Sequence, residues 1–157
     1  MAVFASWVHG HAGRIEAPDR LVNIVPIGWG LQVAGLPGTD NWLHYAVPTP
    51  VIVNNVRAKI VQVGIKATRQ STDARIWAVH AYDGHHRFYA NESVPDLAIV
   101  TNPPVAGYPG TFLALPVPAG LIPDVRWGIG ISLGLRFTGG ASSLQLDIAS
   151  VGCDFQV

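Results

Sequence analysis

Charge is the first thing this chain lacks. Asp, Glu, Lys and Arg make up 13% of its 157 residues, ten acidic and ten basic, so the formal net charge is zero. Globular sequences average about 25%. With no basic excess there is nothing to displace counterions from a phosphate backbone, which excludes a dedicated nucleic-acid binder. Cysteine is almost absent: Cys153 stands alone and cannot close an internal disulfide, so a stapled secreted scaffold is excluded. No apolar run approaches the roughly 20 residues of a membrane-spanning helix. The opening MAVFASWVHGH lacks the basic start and long apolar stretch of a signal peptide. The address expected from this is the cytoplasm, or export without a recognisable leader. Heptads and helical periodicity are missing, as are a G-x-S-x-G elbow and a phosphate-cradling glycine loop. The two glutamates, Glu16 and Glu92, are too few to supply an obvious glycosidase carboxylate pair. These absences favour binding or assembly over catalysis.

Apolar residues are what the chain has instead, at 49%, together with 17 Gly and 12 Pro. Apolar content this high with no net charge excludes disorder. A free subunit of 16.7 kDa exposes about 7,600 Å² by mass scaling. Twenty ionic groups cover that area thinly, so apolar surface must face outward, and large exposed apolar patches mark partner surfaces. The expected partner is a second copy of the chain, in a homo-oligomer.

Period-two alternation dominates the pattern. From Val125 to Thr138, Val, Trp, Ile, Leu and Phe occupy one face, while Arg126, Gly128, Gly130, Ser132, Gly134, Arg136 and Thr138 occupy the other. This predicts a long strand buried on one side. Its glycine-rich reverse face predicts either sharp coiling or a flat floor against which a ligand or neighbour lies. Val61 to Thr68 gives a second half-buried strand, and Ala74 to Tyr82, apolar on both faces, a central one. Gly139-Gly140 predicts a hairpin into a final strand whose apolar phase slips by one residue, implying a bulge near Ala149-Ser150. Weaker strands fit 3–9, 21–27, 30–34, 42–47, 50–54, 86–90, 96–101 and 111–115, with breaks at Pro48/Pro50, Pro103/Pro104, Pro116/Pro118 and Pro123. Eight to ten short strands without a linker predict an all-β, single-domain β-sandwich of jelly-roll type over residues 1–157, or else a squat β-barrel.

Three clusters carry candidate chemistry. In HGHAGRIE, His9 and His11 share a strand face and Glu16 follows, a set that could hold a divalent metal in a jelly-roll enzyme. Spacing alone is weak support, because the flanking glycines and second motif of cupins are missing. The second cluster runs from His80 through Tyr82, Asp83 and Gly84 to His85 and His86, a strand entering a turn. In the third, Trp42 and His44 share one face of a short strand and Leu43 and Tyr45 the other. An indole beside an imidazole suits a pyranose, whose apolar face stacks while its edge is polar. Trp7, Trp29, Trp77 and Trp127 fall mostly on apolar faces and read as core. Cys153 precedes a carboxylate that would raise its thiol pKa, so it is no nucleophile.

The segments Trp7-Val8-His9-Gly10, Asn41-Trp42-Leu43-His44 with Pro48-Thr49-Pro50-Val51, Val79-His80-Ala81-Tyr82-Asp83-Gly84 and Gly128-Ile129-Gly130-Ile131-Ser132 together resemble a family of small bacterial proteins of unassigned function. The resemblance implies a compact β protein and brings no substrate, cofactor or catalytic residue. If the family shares a site, Trp7, His9, Trp42, His44, His80 and Asp83 are its candidates, and Tyr82 joins them as an aromatic platform beside polar turn groups in a ligand-binding reading. The functions to weigh are a self-assembling structural or interaction protein, a lectin-like carbohydrate or small-ligand module, and a metal-dependent enzyme.

Overall fold

The computed structural model describes residues 3–101, 110–141 and 143–157, so the Pro103/Pro104 break lies outside it. Among the described residues thirteen strands run in chain order: β1 (Val3–His9), β2 (Arg14–Ile15), β3 (Leu21–Ile27), β4 (Gly30–Gly35), β5 (Thr39–Val47), β6 (Ile52–Val53), β7 (Val56–Arg57), β8 (Lys59–Arg69), β9 (Ala74–Asp83), β10 (His86–Asn91), β11 (Thr111–Pro116), β12 (Ile129–Phe137) and β13 (Gln145–Gln156). Sheet I has the order β11-β8-β13-β4-β3, with β1 also paired to β13, and sheet II the order β10-β9-β12-β5-β2. Neither closes into a barrel. Taken in chain order, the strands β4, β5, β8, β9, β10, β11, β12 and β13 alternate between the sheets except at the β9–β10 hairpin. That path is the double Greek key of a jelly roll.

The core is where the alternating faces meet. Val33, Val63, Ile65 and Val151 of sheet I face Leu43, Val79, Ile131, Leu133 and Leu135 of sheet II, and all are fully buried. β12 shows why the alternation was legible, since its odd-numbered residues are all core. The strand nevertheless starts at Ile129 rather than Val125. Gly128 adopts φ +140, a conformation that breaks the pleat, and Trp127 before it is 76% exposed. Trp7 is also solvent-facing, and Trp29 and Trp77 are half-buried, so none of these four tryptophans belongs to the fully buried core.

The expected slip in β13 is present. Its register shifts between Ile148 and Ser150, leaving Ala149 unpaired. β4 pairs with β13 up to Ile148, and β1 takes over the same edge from Ser150 onward. Both neighbours press on the junction with a glycine, since a Cβ on Gly10 or Gly30 would fall 1.7 Å or 2.4 Å from the Ile148 carbonyl oxygen. Two expectations are corrected. Gly139-Gly140 does not make a hairpin, because β12 and β13 lie in different sheets and the turn carries the chain across the sandwich. The 96–101 segment forms a single bridge, Arg69 to Ile99, rather than a strand. Among the described residues no helix is long and apolar enough to cross a membrane.

Candidate functional site

The outer face of sheet II is built around the short side chains of β12. Gly130, Ser132 and Gly134 run along its centre, flanked by Trp42, His44 and Ala46 of β5 and by Ala78, His80 and Tyr82 of β9. The result is a trough with a low floor and ring-bearing walls. At Gly130 the floor is open, since an added Cβ would meet nothing closer than 3.9 Å. At Gly134 it is roofed. The register of β9 shifts there, the extra residue Trp77 turns outward, and its indole nitrogen lies 2.9 Å from where a Gly134 Cβ would stand. Trp42 leans in with its ring 5.7 Å from Trp77 and 4.9 Å from His80. Arg136 stacks 4.6 Å over Trp77 and grips Asp40 through two hydrogen bonds of 2.9 Å and 2.7 Å.

Beside this aromatic roof is a pocket of about 190 Å³ lined by Glu16, Trp42, His44, His80, Tyr82 and Ser132. A shallower hollow of about 440 Å³ continues from His44 over Gly130 and Gly128. Hydrogen bonds cross the pocket in a row. His44 Nε2 stands 2.9 Å from Glu16 Oε2, and His44 Nδ1 stands 2.8 Å from Ser132 Oγ. A carboxylate only accepts hydrogen bonds, so Nε2 carries a proton; in the neutral ring Nδ1 then accepts, and the Ser132 hydroxyl donates to it. On the other side His80 pairs across the strands with Ser132, its Nε2 3.6 Å from Glu92 Oε1. Burial, helped by the Arg87 guanidinium, holds the His80 imidazole below its usual value against the pull of Glu92. Among the described residues, His80 Nε2 and Trp77 Nε1 are buried with no hydrogen-bond partner.

Four of the seven candidate ligand residues, Trp42, His44, His80 and Tyr82, therefore share one pocket. The other three go elsewhere. Trp7 and His9 belong to β1 in sheet I, where the Trp7 ring covers Gly64 and Gly152. Asp83 is buried and its oxygens are committed: Oδ2 accepts the Arg126 N–H at 2.7 Å, and Oδ1 those of Trp127 and Gly128 at 2.7 Å and 3.0 Å. Burial pushes its carboxyl up, but the three amides and Arg126 outweigh that and hold it below the ordinary value. Asp83 is thus a clamp on the Arg126–Gly128 turn, beside the exposed His85 and His86.

The His9, His11 and Glu16 metal set does not form. The two imidazoles meet edge to face at 4.1 Å while Glu16 turns to His44. Among the described residues no three His, Cys, Asp or Glu side chains gather as a metal site. Cys153 is buried, its thiol pushed up to about 12 by burial and Asp154, and is chemically quiet. Ser132, Trp77 and Glu16 as a partner of His44 were missed by sequence reasoning. The one available signal was Ser132, a lone hydroxyl on an otherwise glycine-rich strand face.

A family model described as a family of unknown function, DUF6623, matches residues 1–157. The chain belongs to this family. No curated protein matches it. The shared family of unassigned function expected from the sequence segments is therefore found, and it leaves the role of the DUF6623 chain to be argued from its pocket.

Proposed function

We propose that the trough on sheet II binds a small, neutral, polyhydroxylated molecule, with carbohydrates the first class to test. The observation that carries this reading is the meeting of Trp42, His44, Ser132, His80, Tyr82 and Glu16 in one pocket of about 190 Å³. Such sites join an apolar platform to a few convergent polar groups. The indole offers a face for C–H groups, and the hydroxyl, imidazole and carboxylate edges offer both donors and acceptors. Each imidazole has its own carboxylate neighbour, Glu16 for His44 and Glu92 for His80. The lining contains carboxylate but no Lys or Arg, which disfavours phosphorylated or strongly acidic ligands. Calorimetry and tryptophan fluorescence across a panel of neutral mono- and disaccharides test the reading. Binding that Trp42→Ala abolishes supports it; a flat response across the panel overturns it.

Self-assembly is a second reading, favoured by the outer face of sheet I. Trp7, Gly152, Gly64 and Ala114 form one cross-strand row there, and Phe112 packs 5.6 Å from Trp7. The two glycines flatten a face from which Trp7 and Phe112, 37% and 51% exposed, are not withdrawn. A second copy applied to this face would cover it, and a multivalent assembly would raise the avidity of weak saccharide sites.

A further inference from the structure

We propose that Ser132 is the nucleophile of an acyl-transfer site that cleaves small esters, with His44 as its general base and Glu16 orienting His44. The proposal shares the pocket of the binding reading but requires only that the pocket admit a small acyl group. β5, β12 and the bend just after β2 supply a connected relay: Glu16 Oε2 to His44 Nε2 at 2.9 Å, and His44 Nδ1 to Ser132 Oγ at 2.8 Å. These are the contacts a serine nucleophile needs, a base within hydrogen-bond reach and a third group fixing the base. The ring is used in the reverse sense to the familiar serine hydrolases, Nδ1 facing the serine and Nε2 the carboxylate. Either imidazole nitrogen accepts a proton, so the direction of transfer is unchanged.

The surroundings fit this role. Ser132 lies at the pocket floor, 8% exposed. Gly130 beside it leaves open space over the strand, enough for an acyl group to lie flat against the backbone. A tetrahedral intermediate also needs a donor for its oxyanion. Trp77 Nε1–H is buried without a partner over Gly134, the next position on this face. Successive same-face positions are roughly 6.6 Å apart and Trp77 stands outside the pocket lining, so the indole must swing toward Ser132 to serve the oxyanion.

The chemistry balances without a cofactor. Ser132 Oγ bonds to the carbonyl carbon as its proton passes to His44 Nδ1 and the carbonyl π pair moves onto oxygen. Collapse breaks the bond to the leaving alkoxide, which takes the proton from Nδ1, and Ser132 is left acylated. Water then bonds to the same carbon while giving a proton to Nδ1, the carboxylic acid departs, and Oγ recovers the proton.

A small alkyl fluorophosphonate, followed by intact mass and peptide mapping on the full chain, tests this, with p-nitrophenyl acetate turnover as a second readout. One adduct is expected, on the peptide containing Ser132, absent in Ser132→Ala and formed at least tenfold more slowly in His44→Gln. Glu16→Gln should displace the pH profile of labelling, which a merely structural carboxylate would not do. Ser132→Cys, alkylated by iodoacetamide at a His44-dependent rate, gives a second route to the same relay. No adduct on folded protein, or labelling indifferent to His44→Gln, overturns the proposal. Saccharide binding retained without labelling removes catalysis alone, and labelling without saccharide binding removes the carbohydrate reading alone.

Discussion

Asp83 serves three amides of the Arg126–Gly128 turn with two oxygens, so its amide analogue is badly placed. Asn offers one acceptor oxygen and turns an N–H₂ toward a backbone N–H. Leaving a buried donor unsatisfied costs about 1–3 kcal/mol. Asp83→Asn should lower the denaturation midpoint accordingly, and an unchanged midpoint would show that the clamp is idle. His80 makes a pH-dependent contribution. Its folded pKa is depressed, so protonation favours the unfolded chain, where the value is near 6.5. The stability it confers is present above pH 6.5 and is lost as pH falls through the lower folded value. Asp147, raised by burial, works the other way in acid, so the effect is read as a difference. Denaturant midpoints between pH 7.5 and 5 should fall more steeply in the parent than in His80→Gln. At this scale the sequence told which side chains share a face, Trp42 with His44. It could not tell that Glu16 and Ser132 would meet His44, because nothing local records a contact between residues 16, 44 and 132. Trp127 was misread for a related reason: the alternation continues through it, but Gly128 turns the backbone before the sheet begins.

Among the elements, β12 separates folding from binding most cleanly. Its odd face is core, and its even face is the trough floor. Gly130→Val should leave stability equal or higher, because a β-branched residue suits a strand and nothing lies within 3.9 Å of the added Cβ. It should also abolish saccharide binding and slow fluorophosphonate labelling. Retained binding by folded Gly130→Val would place the ligand elsewhere. Strand existence and facing were legible because one-sided burial imposes period two, and the β13 bulge was legible because a slip in phase has no other cause. Strand partnership was not legible. The Gly139-Gly140 turn reads as a hairpin locally, but whether the next strand pairs with the last or crosses the core depends on which sheet has a vacant edge.

For the molecule as a whole, the scarcity of charge is sharper than composition implied. The accessible surface is 7700 Å², and Arg69, Asp83 and Asp147 are withdrawn from it. If copies shelter the sheet I face, light scattering at micromolar concentration should give a mass above 16.7 kDa, and Trp7→Glu should return it to a single subunit by burying a charge in the contact. A parent that scatters as one subunit removes the assembly reading and leaves the trough untouched. The split edge of β13 bears on this too. β1 meets the rest of the fold mainly along seven β13 positions, and only a short 3₁₀ turn at Gly10–Ala12 leads onward from it. Peeling β1 away would bare a ledge of unpaired amides without disturbing β4, and the equivalent strand of another copy could slot in. Exchange of that one ribbon would link two molecules by contacts each already makes with itself, and amide deuteration should find residues 3–9 the first strand to open.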